Sequence, residues 1–373
     1  MQGQKMIYDP ESQKIILFGG SYYSSSYTFY DDTWSLDTAK YTWTNIQTTN
    51  SPSARFSAGM VYDGDHKKII LFGGFSASDR KSDTWIYDIA TSTWTNVTPD
   101  KSPPRRSDMG IAYDAGAKKV VIFGGYNRDD TISDDTWVYD FEANTWTQMN
   151  PANHPSARYG GAMVFDSYSK KILLFGGHKG SVYDNEIWAY NYSNDDWEKI
   201  ETQTKPPGRY WHDLAYDSVS QRMILFGGSQ GGGNDLGDTW VFACRDSKWV
   251  NVTSTVNPPA RSLLSLAYDV SVKKTVMFGG ADFGSQGYGI YSEGVWILDD
   301  VGQWKKLSAE SFPSEPDKPE PSIPGFQPLE VIIGLILALT IIVHTCVLKG
   351  ELGQRAIMVM RLRIISFSRS RDH

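Results

Sequence analysis

Short apolar runs return along this chain at a steady interval. Stretches such as KIILF at 14–18, KIILF at 68–72, KVVIF at 119–123 and KILLF at 171–175 each run into a Gly-Gly pair. The pairs stand at Gly19-Gly20, Gly73-Gly74, Gly124-Gly125, Gly176-Gly177, Gly227-Gly228 and Gly279-Gly280, at intervals of 54, 51, 52, 51 and 52 residues. After each pair comes a loop of variable length and then a tryptophan: Trp34, Trp85, Trp137, Trp188, Trp240 and Trp296. Eight or nine residues later stands another: Trp43, Trp94, Trp146, Trp197, Trp249 and Trp304. Before each later pair lies a proline-rich segment carrying Arg55, Arg106, Arg158, Arg209 or Arg261, followed by a short apolar strand ending in Tyr-Asp or Phe-Asp.

Each repeat therefore reads as four short strands. Strand A resembles SAGMVYD, B KKIILFGG, C DTWIYD and D STWTNV. The A–B and C–D connections are short and rich in Asp, Gly, Ser and Lys, as antiparallel hairpins require. A lone four-stranded sheet cannot bury both faces, whereas six stacked around an axis can. The expectation is an all-β, six-bladed propeller over residues 1–307. A group that recurs in every blade answers a need of every blade. The five arginines are thus expected to be structural, bonding at blade junctions to backbone or to acids such as Asp32, Asp83, Asp135 or Asp238, and the tryptophans to be packing residues.

The di-glycine, the Tyr-Asp and the spaced tryptophan together resemble the kelch family, over roughly residues 1–307. That resemblance implies a β-propeller, and similar repeats form the central domain of galactose oxidase, bacterial sialic-acid mutarotases and many adhesion or scaffold proteins. Repeat 1 departs from the pattern, because it begins at Met1 inside strand A without an upstream Pro-x-x-Arg, and no spare strand follows Trp304. The ring is therefore expected to close by packing of blade 1 on blade 6. The abrupt start is also what a truncated N-terminus, missing an arm and a signal peptide, would give.

Composition agrees with β-structure: 13 Trp, 21 Tyr and 16 Phe favour pleated surfaces, and 34 Gly suit many turns. A net charge of −7 argues against nucleic-acid binding. Two cysteines, Cys244 and Cys346, make neither a disulfide framework nor a structural zinc site.

The end of the chain changes character. Residues 308–328 hold six prolines and several acids and read as a stalk. Residues 329–348 are almost wholly apolar, and at ~1.5 Å per residue they reach ~30 Å, enough for one transmembrane helix. Residues 349–373 are basic, with Lys349, Arg355, Arg361, Arg363, Arg369 and Arg371. The positive-inside rule then places this tail in the cytoplasm and the propeller outside. The alternative is tail-anchored insertion with a cytosolic propeller acting as a scaffold. Sequons at Asn96, Asn191 and Asn251 fit either placement as chance matches and are compatible with an outside propeller.

Chemistry is sparse. The six histidines are scattered, no pair has metal-ligand spacing, and no cofactor motif occurs, so neither metal nor cofactor is expected. A copper site like that of galactose oxidase would need a Tyr–Cys crosslink with His ligands, and Cys244 sits among repeat residues. Function is expected where blades differ, in the B–C and D–A loops, which strand alternation puts on one face. Blade 1 offers Tyr22, Tyr23, Tyr27, Phe29 and Tyr30, and blades 2 and 3 offer Arg80 and Arg128. His178 comes from blade 4, Phe283 and Tyr288 from blade 6, and Tyr210, Trp211 and His212 from a D–A segment. This mixture suits a protein or glycan ligand, with the bilayer as a further partner through 329–348. The catalytic alternative is a sugar mutarotase using His212 with Arg209 or a nearby carboxylate.

Overall fold

The structure is a computed structural model that describes residues 1–23, 26–284, 290–291 and 294–307. Stalk, apolar segment and tail, residues 308–373, lie outside the described residues, as does Tyr288. Among the described residues no helix is long and apolar enough to cross a membrane.

The described residues form six antiparallel sheets built on four strands each, the sixth with an added short strand, Ile290–Tyr291, beside two small two-stranded sheets. Blade 1 consists of Lys5–Asp9, Lys14–Phe18, Thr33–Asp37 and Thr42–Ile46, hydrogen-bonded in that order. The first strands of blades 2 to 6 are Gly59–Asp63, Gly110–Asp114, Ala162–Asp166, Asp213–Asp217 and Ser262–Asp269. Each B strand is buried on both faces, which is why its run is continuously apolar rather than alternating. Six apolar clusters fill the six blade junctions. In the last, Met6, Ile15 and Leu17 of blade 1 pack on Ala267, Val276 and Phe278 of blade 6. The ring thus closes without a shared strand, by side-chain packing together with the backbone bonds described below.

The repeated residues each have a local job. The Asp of Tyr-Asp caps the A–B turn, as Asp217 does by accepting from the backbone N–H of Val219 and Ser220 at 3.0 Å each. The tyrosine before it reaches the neighbouring blade: the Tyr216 hydroxyl donates to Asp166 at 2.8 Å. The strand-D tryptophan donates through Nε1 to a threonine in strand C of the preceding blade. Trp94 bonds Thr33, Trp146 bonds Thr84, Trp197 bonds Thr136 and Trp304 bonds Thr239, at 2.8–3.0 Å. At the two remaining junctions Ile187 and Val295 stand where threonine would be, and the buried Nε1 atoms of Trp249 and Trp43 have no partner among the described residues. A buried donor left unpaired costs about 1–3 kcal/mol. Val295→Thr, close in volume to the original, is therefore expected to stabilise the propeller by about 1 kcal/mol, read as a raised urea midpoint at unchanged slope.

The arginines act inside their own blades. The Arg106 guanidinium is fully buried and donates to Pro104 O, to Gly124 O at 2.9 Å, and to both Asp135 oxygens at 2.5 and 2.8 Å. Asp135 also accepts from Trp137 Nε1. Arg55 and Arg209 repeat the clasp on Asp83 and Asp238, while in blade 4 Arg158 binds Asp184 and Glu186. Burial alone would raise the Asp83, Asp135 and Asp238 carboxyls, but the guanidinium bonds outweigh it and hold them below the usual range. The blade junction is bridged by the arginine's backbone rather than its side chain. Gly74 N donates to Arg106 O at 2.9 Å, and the same bond recurs round the ring until Gly280 N meets Met1 O at 3.0 Å. That approach explains the first glycine of five pairs, while at Gly279 the Gln4 side chain fills the same space. Gly73 has φ +64°, and an added Cβ would lie 2.7 Å from Arg106 O.

A second circle lies nearer the axis. Gly3, Ser57, Asp108, Gly160, Trp211 and Leu263 follow two residues after the arginine position of each blade, and all have φ between +52° and +66°. The N–H of each donates to the carbonyl of its neighbour in the preceding blade, at 2.7–3.1 Å, and Gly3 N completes the circle on Leu263 O. Four members are not glycine, at a cost of about 1–2 kcal/mol each for the left-handed conformation. The closed ring of hydrogen bonds offsets that cost and fixes the side chains that branch from it.

On the A–B face, His66 joins blades 2 and 3. Its Nδ1 lies 2.7 Å from Asp63 and its Nε2 2.8 Å from Glu142, with the ring stacked 4.0 Å from Phe141. Burial disfavours the imidazolium, but the two carboxylates outweigh it and raise the pKa above its ordinary value. Stability from this contact is then fully present below the unfolded value of ~6.5 and is lost as pH rises through the higher folded value. Wild type is expected to lose a small stability advantage over His66→Gln as pH is raised from ~5.5 to ~8, measured by urea titration at each pH.

Candidate functional site

The two mouths of the central channel differ in kind. The A–B mouth is ringed by Tyr8, Tyr62, Tyr113, Phe165, Tyr216 and Tyr268, one per blade. Six near-identical contributions mark a requirement of the fold. The B–C/D–A mouth is uneven, and it opens into a bowl of about 550 Å³.

The bowl is built by one small bridge in each blade. The residue after the arginine position pairs with the residue after Gly-Gly: Gln2 with Ser21, Phe56 with Phe75, and Ser107 with Tyr126. Tyr159 pairs with His178, Tyr210 with Ser229, and Ser262 with Ala281. The backbone is the same six times, but the side chains are not. Blades 2, 3, 4 and 5 supply Phe56, Phe75, Tyr126, Tyr159, His178 and Tyr210, with Ser107 and Ser229 as the partners of Tyr126 and Tyr210. Blades 6 and 1 supply Ser262, Ala281, Gln2 and Ser21. At the bridges one side of the mouth thus carries aromatic residues and the other only small or polar ones, although Tyr27 and Phe283 reach the bowl from the loops of blades 1 and 6.

The rings form a continuous net. Tyr159 lies 5.0 Å from Tyr126, 5.2 Å from His178 and 5.8 Å from Tyr210, mostly edge to face. Tyr210 stacks on Trp211 at 4.2 Å and on Tyr183 at 5.4 Å. Such pairs add about 0.5–1.5 kcal/mol each beyond area and lock the rings without a ligand. Phe283 extends the net, 6.5 Å from Trp211. On the opposite flank Phe29, Phe56 and Phe75 cluster at 5.6–6.2 Å. The Arg80 guanidinium sits over Tyr126 at 4.3 Å and Phe75 at 5.4 Å, and bonds Asp130 at 3.3 Å.

Asp108 lies on the floor, in the left-handed ring. Its carboxylate accepts from Trp211 Nε1 at 3.0 Å and Ser107 Oγ at 2.6 Å, so that Trp211 is drawn across the channel axis. Desolvation raises the Asp108 pKa, against those hydrogen bonds. Burial also pushes the Tyr159 phenol up to about 12, with Asp108 adding to the effect.

The residues expected on this face are distributed as follows. Arg80, Tyr210, Trp211 and Phe283 line the bowl, and His178 stands behind Tyr159. Tyr22 and Tyr23 belong to a hairpin of Ser21–Tyr23 with Tyr27–Phe29, from which Tyr27 faces the bowl. Tyr30 closes the same loop, its backbone N–H bonded to Gly20 O. Arg128 is exposed on the outer rim, 3.4 Å from Asp79. His212 requires correction: it is 4% exposed, wedged in the junction between blades 4 and 5, with its ring 5.5 Å from Phe175. Burial, with the charge of Arg209 adding, depresses its pKa to about 3, and Arg209 itself is committed to Asp238 and Gly227. A buried neutral imidazole and a clasped guanidinium do not make an acid–base pair open to a sugar.

Sequence reasoning missed Phe56, Phe75, Tyr126, Tyr159 and Asp108. Their signal was available: aligning the six repeats at the arginine and at Gly-Gly and reading the next residues exposes the switch from aromatic to small.

Comparison with known proteins follows the same repeat. The family model described as the KLHDC2/KLHL20/DRC7 Kelch-repeats domain matches residues 1–177 and 165–322. The dynein alpha chain of the flagellar outer arm of Chlamydomonas reinhardtii is 24% identical over 292 residues, covering 72% of this chain and 6% of that protein. Mei4-dependent protein 6 of Schizosaccharomyces pombe is 23% identical over 341 residues, covering 81% of this chain and 48% of the relative. Tip elongation aberrant protein 1 of the same yeast is 27% identical over 219 residues, covering 55% of this chain and 19% of its own length. The chain thus spans about half or less of each of these relatives.

Proposed function

Because the chain belongs to the kelch-repeat family, we propose that it is a protein-interaction module whose partner docks in the aromatic bowl. The observation that carries this reading is the change of occupant at a fixed backbone position. The fold needs the bridge six times and is satisfied by serine or alanine, so aromatic residues clustered on one side answer something other than folding. Exposed rings held by each other lose little entropy on contact, which suits anchoring residues. The apolar segment 329–348 supports a second element, attachment to a bilayer through one helix. The basic residues beyond it favour a propeller outside the cytoplasm, possessing adhesive or scaffolding use according to its partner. Protease treatment of intact cells tests the topology, since a cytosolic propeller would survive it.

The docking reading is tested by presenting the full chain to a random peptide library and, in parallel, to a glycan array. Peptide binders are expected, and Tyr159→Ala should weaken them at least tenfold. Binders indifferent to Tyr159→Ala but lost on Tyr62→Ala, at the opposite mouth, would refute it. Enrichment on the glycan array alone would transfer the bowl to a sugar ligand.

A further inference from the structure

We propose that the bowl takes a cationic side chain, an alkylammonium or guanidinium on an extended protein segment, laid against the Trp211 indole with Asp108 as its counter-charge. This rests on the docking reading above and specifies the chemistry of what docks.

Two observations converge on it. The first is a cation already in place: the Arg80 guanidinium lies over Tyr126 and Phe75, within the ~6 Å at which a ring quadrupole attracts a positive charge. The bowl therefore accommodates a cation within its own wall, and Arg80 leaves Trp211 to another. The second is the charge balance. Arg80 is answered by Asp130 at 3.3 Å, and the fully buried Arg261 beneath the rim lies in the field of Asp282. On the other side Asp108 lines the bowl, within the field of Lys5. Asp235 lies behind the lining residue Phe283, accepting its backbone N–H at 2.7 Å. Aromatic faces and an underlying carboxylate in a partly dry site reinforce each other, because the low dielectric strengthens both.

An anionic ligand would meet the opposite arrangement. It would face the Asp108 carboxylate, and the Arg80 guanidinium is already paired and stacked.

The test uses the full chain and five peptides, acetyl-Gly-Ser-X-Ser-Gly-amide, with X as lysine, trimethyl-lysine, arginine, norleucine or glutamate, titrated by calorimetry. The three cationic peptides are expected to bind at least tenfold more tightly than norleucine, with glutamate weakest. Asp108→Asn keeps the size and tolerates a left-handed backbone. It should cut the lysine-to-norleucine preference at least fivefold while leaving norleucine binding in place. Asp235→Asn should reduce the same preference by a smaller factor. Equal binding of lysine and norleucine, or a preference for glutamate, would overturn the cationic assignment while leaving the docking site standing. Absence of binding by all five at millimolar concentration would also overturn it. Only library binders that ignore Tyr159→Ala would remove the docking reading itself.

Discussion

Replacing Arg106 with alanine is expected to cost the propeller about 3–5 kcal/mol, the loss typical of breaking a buried ion pair. The guanidinium is fully buried and anchors four oxygens: Pro104 O, Gly124 O and both oxygens of Asp135. Its removal leaves a carboxylate in a largely dry pocket and frees the segment whose backbone carries the inter-blade bond from Gly74 to Arg106 O. Lys119→Ala, which removes a pair to Asp140 at 2.8 Å between half-buried side chains near the surface, should cost no more than about 1 kcal/mol. Urea unfolding followed by tryptophan fluorescence reads both, and the ratio of the two midpoint shifts is the informative quantity. Similar shifts would show that the clasp is not what holds the loop to the blade.

The second large effect concerns binding. Tyr126→Ala with Tyr210→Ala is expected to weaken a library-selected peptide about 100-fold, or ~2.7 kcal/mol, in line with aromatic anchors worth ~1–2 kcal/mol each at the centre of an interface. The two rings both contact Tyr159, so the double variant should fall short of or exceed the sum of the singles by a measurable coupling. Tyr22→Ala and Arg128→Ala, on the hairpin and the outer rim, should change affinity by less than twofold. Folding is controlled by the urea midpoint, because these rings stand outside the blade-junction clusters.

Much of the architecture was written in the sequence. The period of Gly-Gly, the paired tryptophans and the Tyr-Asp turns each answer a short-range or next-blade demand, so they recur and are readable. Asp83, Asp135 and Asp238 were readable as arginine partners for the same reason. Blade 4 was harder, since Asp184 and Glu186 share the role there. The inner circle of backbone hydrogen bonds was not legible at all. It uses main-chain groups, and its members, Gly3, Ser57, Asp108, Gly160, Trp211 and Leu263, have nothing chemical in common. The candidate site fell between these cases. Loop length drew attention to Tyr22, Tyr23 and Arg128, yet the bowl is lined mainly from short bridges at the root of the loops. His212 stood next to Tyr210 and Trp211 in the chain, but the left-handed backbone at Trp211 turns the chain there, and the His212 ring went into the blade junction.

The account turns on which mouth of the channel receives the partner. A photo-crosslinking amino acid placed singly at Tyr27 and Phe283 in the bowl, and at Val219 and Val270 on exposed A–B turns, reads this directly with a library-selected peptide. Crosslinks from positions 27 and 283 and none from 219 and 270 are the predicted result. Crosslinks confined to 219 or 270 would contradict the assignment of the aromatic bowl as the binding site.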